Sequence, residues 1–326
     1  MIKKIMGTCH FGTLRLSNLS LSDTSLICLL SFFLWIAASG CAIQPAERPT
    51  NIVLIGWDGA QLDHVKECLG RGELPNLKKL SAEGSFVEID VQGHQTETEP
   101  GFAQMLTGYD DEVSGVRGNE KFTCIPKGYT IFERLEDHFG SGSGHASGSG
   151  SFVTVALFSK GHRFKSDSPD KPYYNAAKAA DVFTNGLNED SNVAAVTEKM
   201  LDLYKGRHFF FFVQFAGADR SGHDKGENSK EYNDALITYD KLTGDIAKKL
   251  KDLGLYDKTI IYVTADHGFD EGSRGHSFAP YVFMATNDPR GIKQGFQADV
   301  TPTVLDRFGV DVKKIDPPLY GKPLTK

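Results

Sequence analysis

Thr259-Ile-Ile-Tyr-Val-Thr-Ala-Asp-His-Gly268 reads as a strand that delivers an aspartate, a histidine and a glycine at its carboxyl end. Two other stretches have the same form. Asn51-Ile-Val-Leu-Ile55 runs on to Asp58, and His208-Phe-Phe-Phe-Phe-Val-Gln-Phe215 runs on to Asp219, with His223 four residues later. The apolar runs are continuous rather than alternating, as in strands of a parallel sheet whose two faces are both covered by helices. Sheets of that kind carry their chemistry outside the carboxyl ends of the strands. Acidic residues at three such ends, two of them with a histidine close by, point to a metal-dependent active site.

Outward from these stretches, strand-like segments at 87–91, 152–158 and 281–285 alternate with helix-like ones at 74–83, 131–139, 192–204 and 230–253. That alternation predicts an α/β fold, a three-layer αβα sandwich with a mostly parallel central sheet. Residues 140–151 contain only Gly, Ser, Ala and His145, the composition of a flexible linker. Candidate ligands lie on both sides of this segment, so it reads as a surface loop within one domain spanning 51–326, with His145 a solvated loop histidine.

The first fifty residues read differently. Residues 26–38 form an uncharged, mostly apolar run preceded by Lys3, Lys4 and Arg15, which is the pattern of an export signal. A bilayer span needs about 20 apolar residues, so the run is short for a membrane anchor. It closes in Ala38-Ser-Gly-Cys41, similar to the lipobox of bacterial lipoproteins, which would make Cys41 the acylated first residue of the mature protein. The expectation is a signal peptide over 1–40, a tether over 41–50, and a lipid-anchored enzyme of the bacterial envelope or periplasm. A plain secretory signal, an uncleaved anchor, or a buried helix of a cytosolic protein are the alternatives. Of the five cysteines, Cys9 and Cys28 would leave with the signal; Cys68 and Cys124 either pair in an oxidising compartment or stay free.

With 326 residues, 40% hydrophobic and 24% charged, the chain can bury a substantial core. Its formal net charge of −6 and the lack of a strongly basic face argue against a nucleic-acid duplex as partner.

Between the first two strand ends lies Gln95-Thr-Glu-Thr-Glu-Pro-Gly-Phe-Ala-Gln-Met-Leu-Thr-Gly108. Pro100 suits a first helical position and Gly108 a stop, which places Thr98 and Glu99 at a helix N-terminus, where free N–H groups favour an anion. Asp219 and His223 are one helical turn apart and share a face, whereas adjacent Asp266 and His267 must diverge, as two neighbouring ions would require. Carboxylate oxygen with imidazole nitrogen suits zinc and its neighbours. Coordination by zinc can acidify an otherwise unreactive hydroxyl such as that of Thr98.

Asp58 in Trp-Asp-Gly, Thr98 two residues before Pro100, Asp219 with His223, Asp266-His267-Gly268 and the late His276 together resemble the alkaline phosphatase superfamily. Within it the chain is most similar to the nucleotide pyrophosphatase/phosphodiesterase branch. The resemblance implies two zinc ions, or similar transition-metal ions. Asp219, His223 and His276 would hold one; Asp58, Asp266 and His267 would hold the other with Thr98, the nucleophile. It further implies that Asn119 contacts a phosphoryl oxygen and that the substrate is a small phosphate ester, cleaved through a covalent phospho-threonine. A phosphomonoesterase or phosphonate hydrolase of the same fold is the alternative, and a surface-anchored binding protein with an inactive site the non-enzymatic one. Sulfatases need Cys or Ser at the nucleophile position, and their usual motif arginine is replaced here by Phe102. His94 has no role that the resemblance supplies and reads as a loop histidine. Glu97 and Glu99 are unexpected beside an anion site, and read as solvent-facing or as favouring the helix dipole.

Overall fold

A computed structural model describes residues 51–139 and 152–326. The expected signal segment, Cys41, the tether and the loop at 140–151 lie outside the described residues. Among those described, no helix is long and apolar enough to cross a membrane.

Ten strands are present among the described residues: β1 (Asn51–Trp57), β2 (Ser85–Asp90), β3 (Val116–Gly118), β4 (Lys121–Phe122), β5 (Phe152–Phe158), β6 (Val182–Thr184), β7 (His208–Phe215), β8 (Thr259–Thr264), β9 (Tyr281–Thr286) and β10 (Gly295–Phe296). The helices are α1 (Leu62–Arg71), α2 (Pro75–Glu83), α3 (Thr98–Thr107), α4 (Asp111–Ser114), α5 (Ile131–Phe139), α6 (Tyr174–Ala179), α7 (Asp190–Tyr204), α8 (Gly217–Lys225), α9 (Lys230–Asp252) and α10 (Val300–Phe308).

Eight strands make one sheet in the order β10-β2-β9-β8-β1-β7-β5-β6, and β3 pairs with β4 apart from it. Strands β8, β1, β7, β5 and β6 run parallel. On the other side β9 turns antiparallel to both β8 and β2. Every residue of β1, β5 and β8 is buried. Burial of alternate residues alike requires cover on both faces, which explains the continuous apolar runs.

The sheet centre is aromatic. Phe209, Phe210, Phe211 and Phe212 of β7 are fully buried, and Phe212 meets both Phe102 of α3 and Phe158 of β5. Opposite Phe102 stands Gly56 of β1, where a Cβ would come within 2.5 Å of the Phe102 ring. A side chain at 56 would therefore lift α3 off the sheet. Phe102 is a core residue, and nothing ionic could occupy its place without the cost of burying a charge. Long helix α9 adds a second support from one face: Trp57 Nε1 donates to Thr243 Oγ1 at 3.1 Å, Tyr239 Oη donates to the Asp58 carbonyl at 3.1 Å, and Tyr232 Oη to the Gly59 carbonyl at 2.6 Å.

Cys68 and Cys124 are both free. The buried Cys68 thiol donates to Asn233 Oδ1 at 3.1 Å. Helix α3 starts at Thr98, not at Pro100 as its sequence suggested. Pro100 is tolerated in the first turn because the N–H groups there have no partner within the helix to lose.

Candidate active site

Strand order brings the functional groups together. Neighbouring strands β5, β7, β1 and β8 end near Lys160, Asp219, Asp58 and Asp266 in that order. Helix α3 lays its N-terminus across these ends. At Gly101 an added Cβ would stand 2.8 Å from the Asp266 carbonyl oxygen and 2.9 Å from its Cβ, so only glycine lets the Thr98 turn approach so closely.

The candidate ligands fall into two groups, Asp219 with His223 and His276, and Asp58 with Asp266 and His267. In each, one donor atom per residue lies within 4.8 Å of the others. The second group is fully buried, while His223 in the first keeps 48% of its side chain exposed.

All three imidazoles are oriented alike. Nδ1 of His223 faces the Arg274 carbonyl at 2.8 Å, Nδ1 of His267 the Gly268 carbonyl at 2.9 Å, and Nδ1 of His276 the Thr96 carbonyl at 2.5 Å. A carbonyl can only accept, so Nδ1 carries the proton in each ring and Nε2 presents its lone pair to the cluster. His223 and His276 bring their Nε2 atoms to 3.2 Å from one another. Three buried carboxylate oxygens, Asp58 Oδ1, Asp219 Oδ1 and Asp266 Oδ2, lack any hydrogen-bond partner. Orphaned acceptors of this kind are costly. Converging lone pairs and unmatched carboxylate oxygens together fit cations of the transition-metal type, so the donor set suits the ions that the sequence implies.

Thr98, the first residue of α3, is buried, with Oγ1 3.5 Å from His267 Nε2. Lys160 is the residue that sequence reading missed. Its buried ammonium reaches Thr98 Oγ1 at 3.2 Å, Asp219 Oδ2 at 2.6 Å and Asp58 Oδ2 at 2.9 Å, and so bridges the two groups. Burial opposes its charge, yet Asp58, Asp219 and Asp266 outweigh that and hold the ammonium above its usual range.

The carboxylates do not share one electrostatic fate. Burial raises Asp58 to about 7 against the pull of Lys160. Burial and the neighbouring Asp58 push Asp266 well above the ordinary range. At Asp219 burial is overcome by Lys160, His223 and His267, and the carboxyl is held well below it. Burial drives His267 down, and His276 assists; His276 is itself lowered by burial. His223, whose Nε2 lies 3.4 Å from Asp219 Oδ1, is raised by that carboxylate.

Asn119 sits at the same cleft as Thr98. Its Oδ1 accepts from the Glu99 N–H at 3.0 Å, and its own N–H donates to Glu97 Oε2. With the carbonyl end committed to the helix turn, its donor end is what Asn119 has to offer a ligand. Glu99 lies in the first turn of α3, the position where an acidic side chain meets the helix dipole. Instead of facing solvent it is fully buried with Arg163 3.5 Å away, and burial raises it to about 7. His94 is a loop residue bonded through Nε2 to Gln297 Oε1 at 2.6 Å.

This mostly parallel sheet flanked by helices is an alkaline-phosphatase-like fold, with two carboxylate–imidazole groups around a helix-terminal hydroxyl at its strand ends. Solved structures with this fold include an alkaline phosphatase superfamily protein from Vibrio parahaemolyticus, 20% identical, with TM-score 0.58 over 94% of this chain and 79% of that one. An alkaline phosphatase from the Antarctic bacterium TAB5, 12% identical, gives TM-score 0.54 over 81% of this chain and 99% of its own. Residues 52–288 match the family model described as type I phosphodiesterase / nucleotide pyrophosphatase, and the chain belongs to that family. Among its relatives, the bis(5′-adenosyl)-triphosphatase of Pongo abelii is 25% identical over 70% of this chain and 50% of that protein. The corresponding Mus musculus protein is 26% identical over 69% and 48%. The chain thus spans about half the length of these relatives.

Proposed function

We propose that this chain hydrolyses phosphoric ester bonds, of the phosphodiester or pyrophosphate type, in two displacements through a phospho-threonine at Thr98. One observation carries the reading: a buried threonine hydroxyl, at the N-terminus of a helix, lies against both an imidazole Nε2 and an ammonium between two ligand groups. Asp219, His223 and His276 would hold one ion, and Asp58, Asp266 and His267 the other with Thr98. When bound, such ions supply Lewis acidity that acidifies the hydroxyl and offsets charge on phosphoryl oxygens.

In the first displacement Thr98 Oγ1 gives up its proton and forms a bond to phosphorus while the phosphorus–oxygen bond on the opposite side breaks, and the departing oxygen, of an alcohol or of a phosphate, takes up a proton in exchange. In the second, water attacks the phospho-threonine from the vacated side, returning the Thr98 hydroxyl and releasing the phosphoryl product. Two inversions give net retention at phosphorus. Throughout, Lys160 and the positive end of the α3 dipole keep the phosphoryl region positive. Asn119 contributes a neutral donor at the same place.

One feature favours a phosphomonoesterase instead. Lys160 adds a fixed cation beside Thr98, which suits the dianion of a monoester better than the monoanion of a diester. Comparing bis(p-nitrophenyl) phosphate with p-nitrophenyl phosphate decides between them. The diesterase reading expects kcat/KM to favour the diester by about tenfold or more, and a preference for the monoester would replace it.

For the N-terminal region the reading remains export with lipid attachment at Cys41, in a bacterial envelope. Its support is the apolar run at 26–38 closing in Ala38-Ser-Gly-Cys41. The variant Cys41→Ser should move the protein from the membrane fraction to the soluble fraction; a full-length variant still sedimenting with membranes points to an uncleaved anchor.

A further inference from the structure

Two concavities meet at His223 and His276, which line both. The smaller, about 410 Å³, contains Thr98, Asn119 and Lys160 and is edged by Arg163 and Arg220. The larger, about 740 Å³, has none of these and is walled by Val91, His94, Glu97, Phe278, Ala279 and Pro280. Among the described residues no lysine or arginine lines it, and its single carboxylate is Glu97.

Its mouth carries an unusual side chain. Phe278 is 86% exposed, although its backbone is fastened on both sides. Asp270 accepts the N–H of Phe278 at 2.7 Å through Oδ1 and that of Ser277 at 3.1 Å through Oδ2. The His276 carbonyl accepts from Thr96 Oγ1, and the Pro280 carbonyl accepts the Val91 N–H at 2.6 Å. The ring is thus presented to water from a fixed support, at the rim of a cavity whose inner end is formed by candidate metal ligands. An exposed aromatic on a polar rim marks a place where an apolar group is received.

In-line displacement distinguishes the two spaces. The attacked phosphoryl group belongs with Thr98, Lys160 and Asn119 in the smaller cavity, and in-line displacement sends the departing group to the side away from Thr98; the larger cavity, which shares His223 and His276 with the smaller one but does not contain Thr98, is the space that adjoins it. We propose that the larger cavity is the leaving-group subsite, with Phe278 as a stacking platform, and that it takes an uncharged aromatic alcohol, a nucleoside or a phenol, rather than an anionic phosphate. Charge supports the assignment: beyond the His223 and His276 end, where an ion would be held, a pyrophosphate or nucleotide leaving group would enter a space with a carboxylate and no lysine or arginine. The inference rests on Thr98 acting as nucleophile, as proposed above.

The test uses two substrates that share thymidylate as the retained part: the p-nitrophenyl ester of thymidine 5′-monophosphate, and thymidine 5′-triphosphate cleaved to thymidylate and pyrophosphate. Wild-type protein should prefer the aryl ester in kcat/KM. Phe278→Ala should shift the ratio of the two KM values against the aryl ester by about tenfold, the size of one aromatic contact, with the loss falling on KM. Phe278→Trp should keep the wild-type ratio. An unchanged ratio in Phe278→Ala, or a wild-type preference for the triphosphate, overturns the assignment. Cleavage of neither substrate would instead count against the Thr98 reaction. Binding still judges the subsite in that case: adenosine should quench the fluorescence of the Phe278→Trp variant saturably, and a linear or absent response removes the subsite.

Discussion

Thr98→Ala abolishes turnover, with a loss on the order of 10⁴ or more in kcat, if the hydroxyl is the covalent nucleophile. The change deletes a hydroxyl and a methyl from a buried helix-terminal position, and Gly101, Phe102 and the sheet contacts that seat α3 remain. Folding and metal content should therefore stay near wild type, which mass spectrometry of bound metal and a thermal melt would verify. A variant retaining more than about a hundredth of wild-type turnover removes Thr98 from the reaction, because loss of a covalent nucleophile costs several orders of magnitude. Lys160→Met separates nucleophile from electrostatic support. Its ammonium contacts the same oxygen but forms no bond to phosphorus, so its loss should cost on the order of 10²–10³, as for one preorganised donor. Rapid acid quench should still trap phosphoryl on Thr98 in that variant.

Much of this arrangement was legible because the rule behind it is simple. Continuous apolar strands end at the same edge of a parallel sheet, and acidic residues just past Ile55, Phe215 and Thr264 had to meet there once β1, β7 and β8 proved to be neighbours. Lys160 obeys the same rule: it stands two residues beyond the strand 152–158, which the sequence also revealed. It went unnoticed because lysines are almost always solvated, and only the meeting of Asp58 with Asp219, 161 residues apart in the chain, makes burial of this one tolerable. Glu99 escaped for a related reason. Its apparent surface character reverses once Arg163, on the loop after β5, folds over the start of α3. Nor could any pattern have foretold that Phe278 is exposed, since what holds it outward is a pair of backbone bonds to Asp270. Local periodicity records which face of an element is buried; it does not record contacts that exist only after distant strands have paired.

Loss of metal should be as damaging as loss of the nucleophile, and it should be graded by site. The ions are expected to be zinc or close substitutes, two per chain, because three Nε2 lone pairs face the ligand groups and magnesium and calcium select oxygen donors. Asp219, His223 and His276 form the open group, with His223 half exposed, whereas Asp58, Asp266 and His267 are wholly buried. A chelator should therefore strip the open group first. His276→Ala should do the same genetically, leaving about one ion per chain with strongly reduced activity, since His267 still serves the buried group. Proton competition gives a second handle. Asp58 is raised to about 7, and Asp266 lies well above the usual carboxylate range. Below neutral pH these carboxyls hold protons that an incoming cation must displace, so occupancy of the buried group should weaken as pH falls through about 7. Metal analysis after equilibrium dialysis at several pH values measures both effects. Two tightly held ions in His276→Ala, full activity with magnesium alone, or occupancy independent of pH would each show that these residues do not divide the ions in this way.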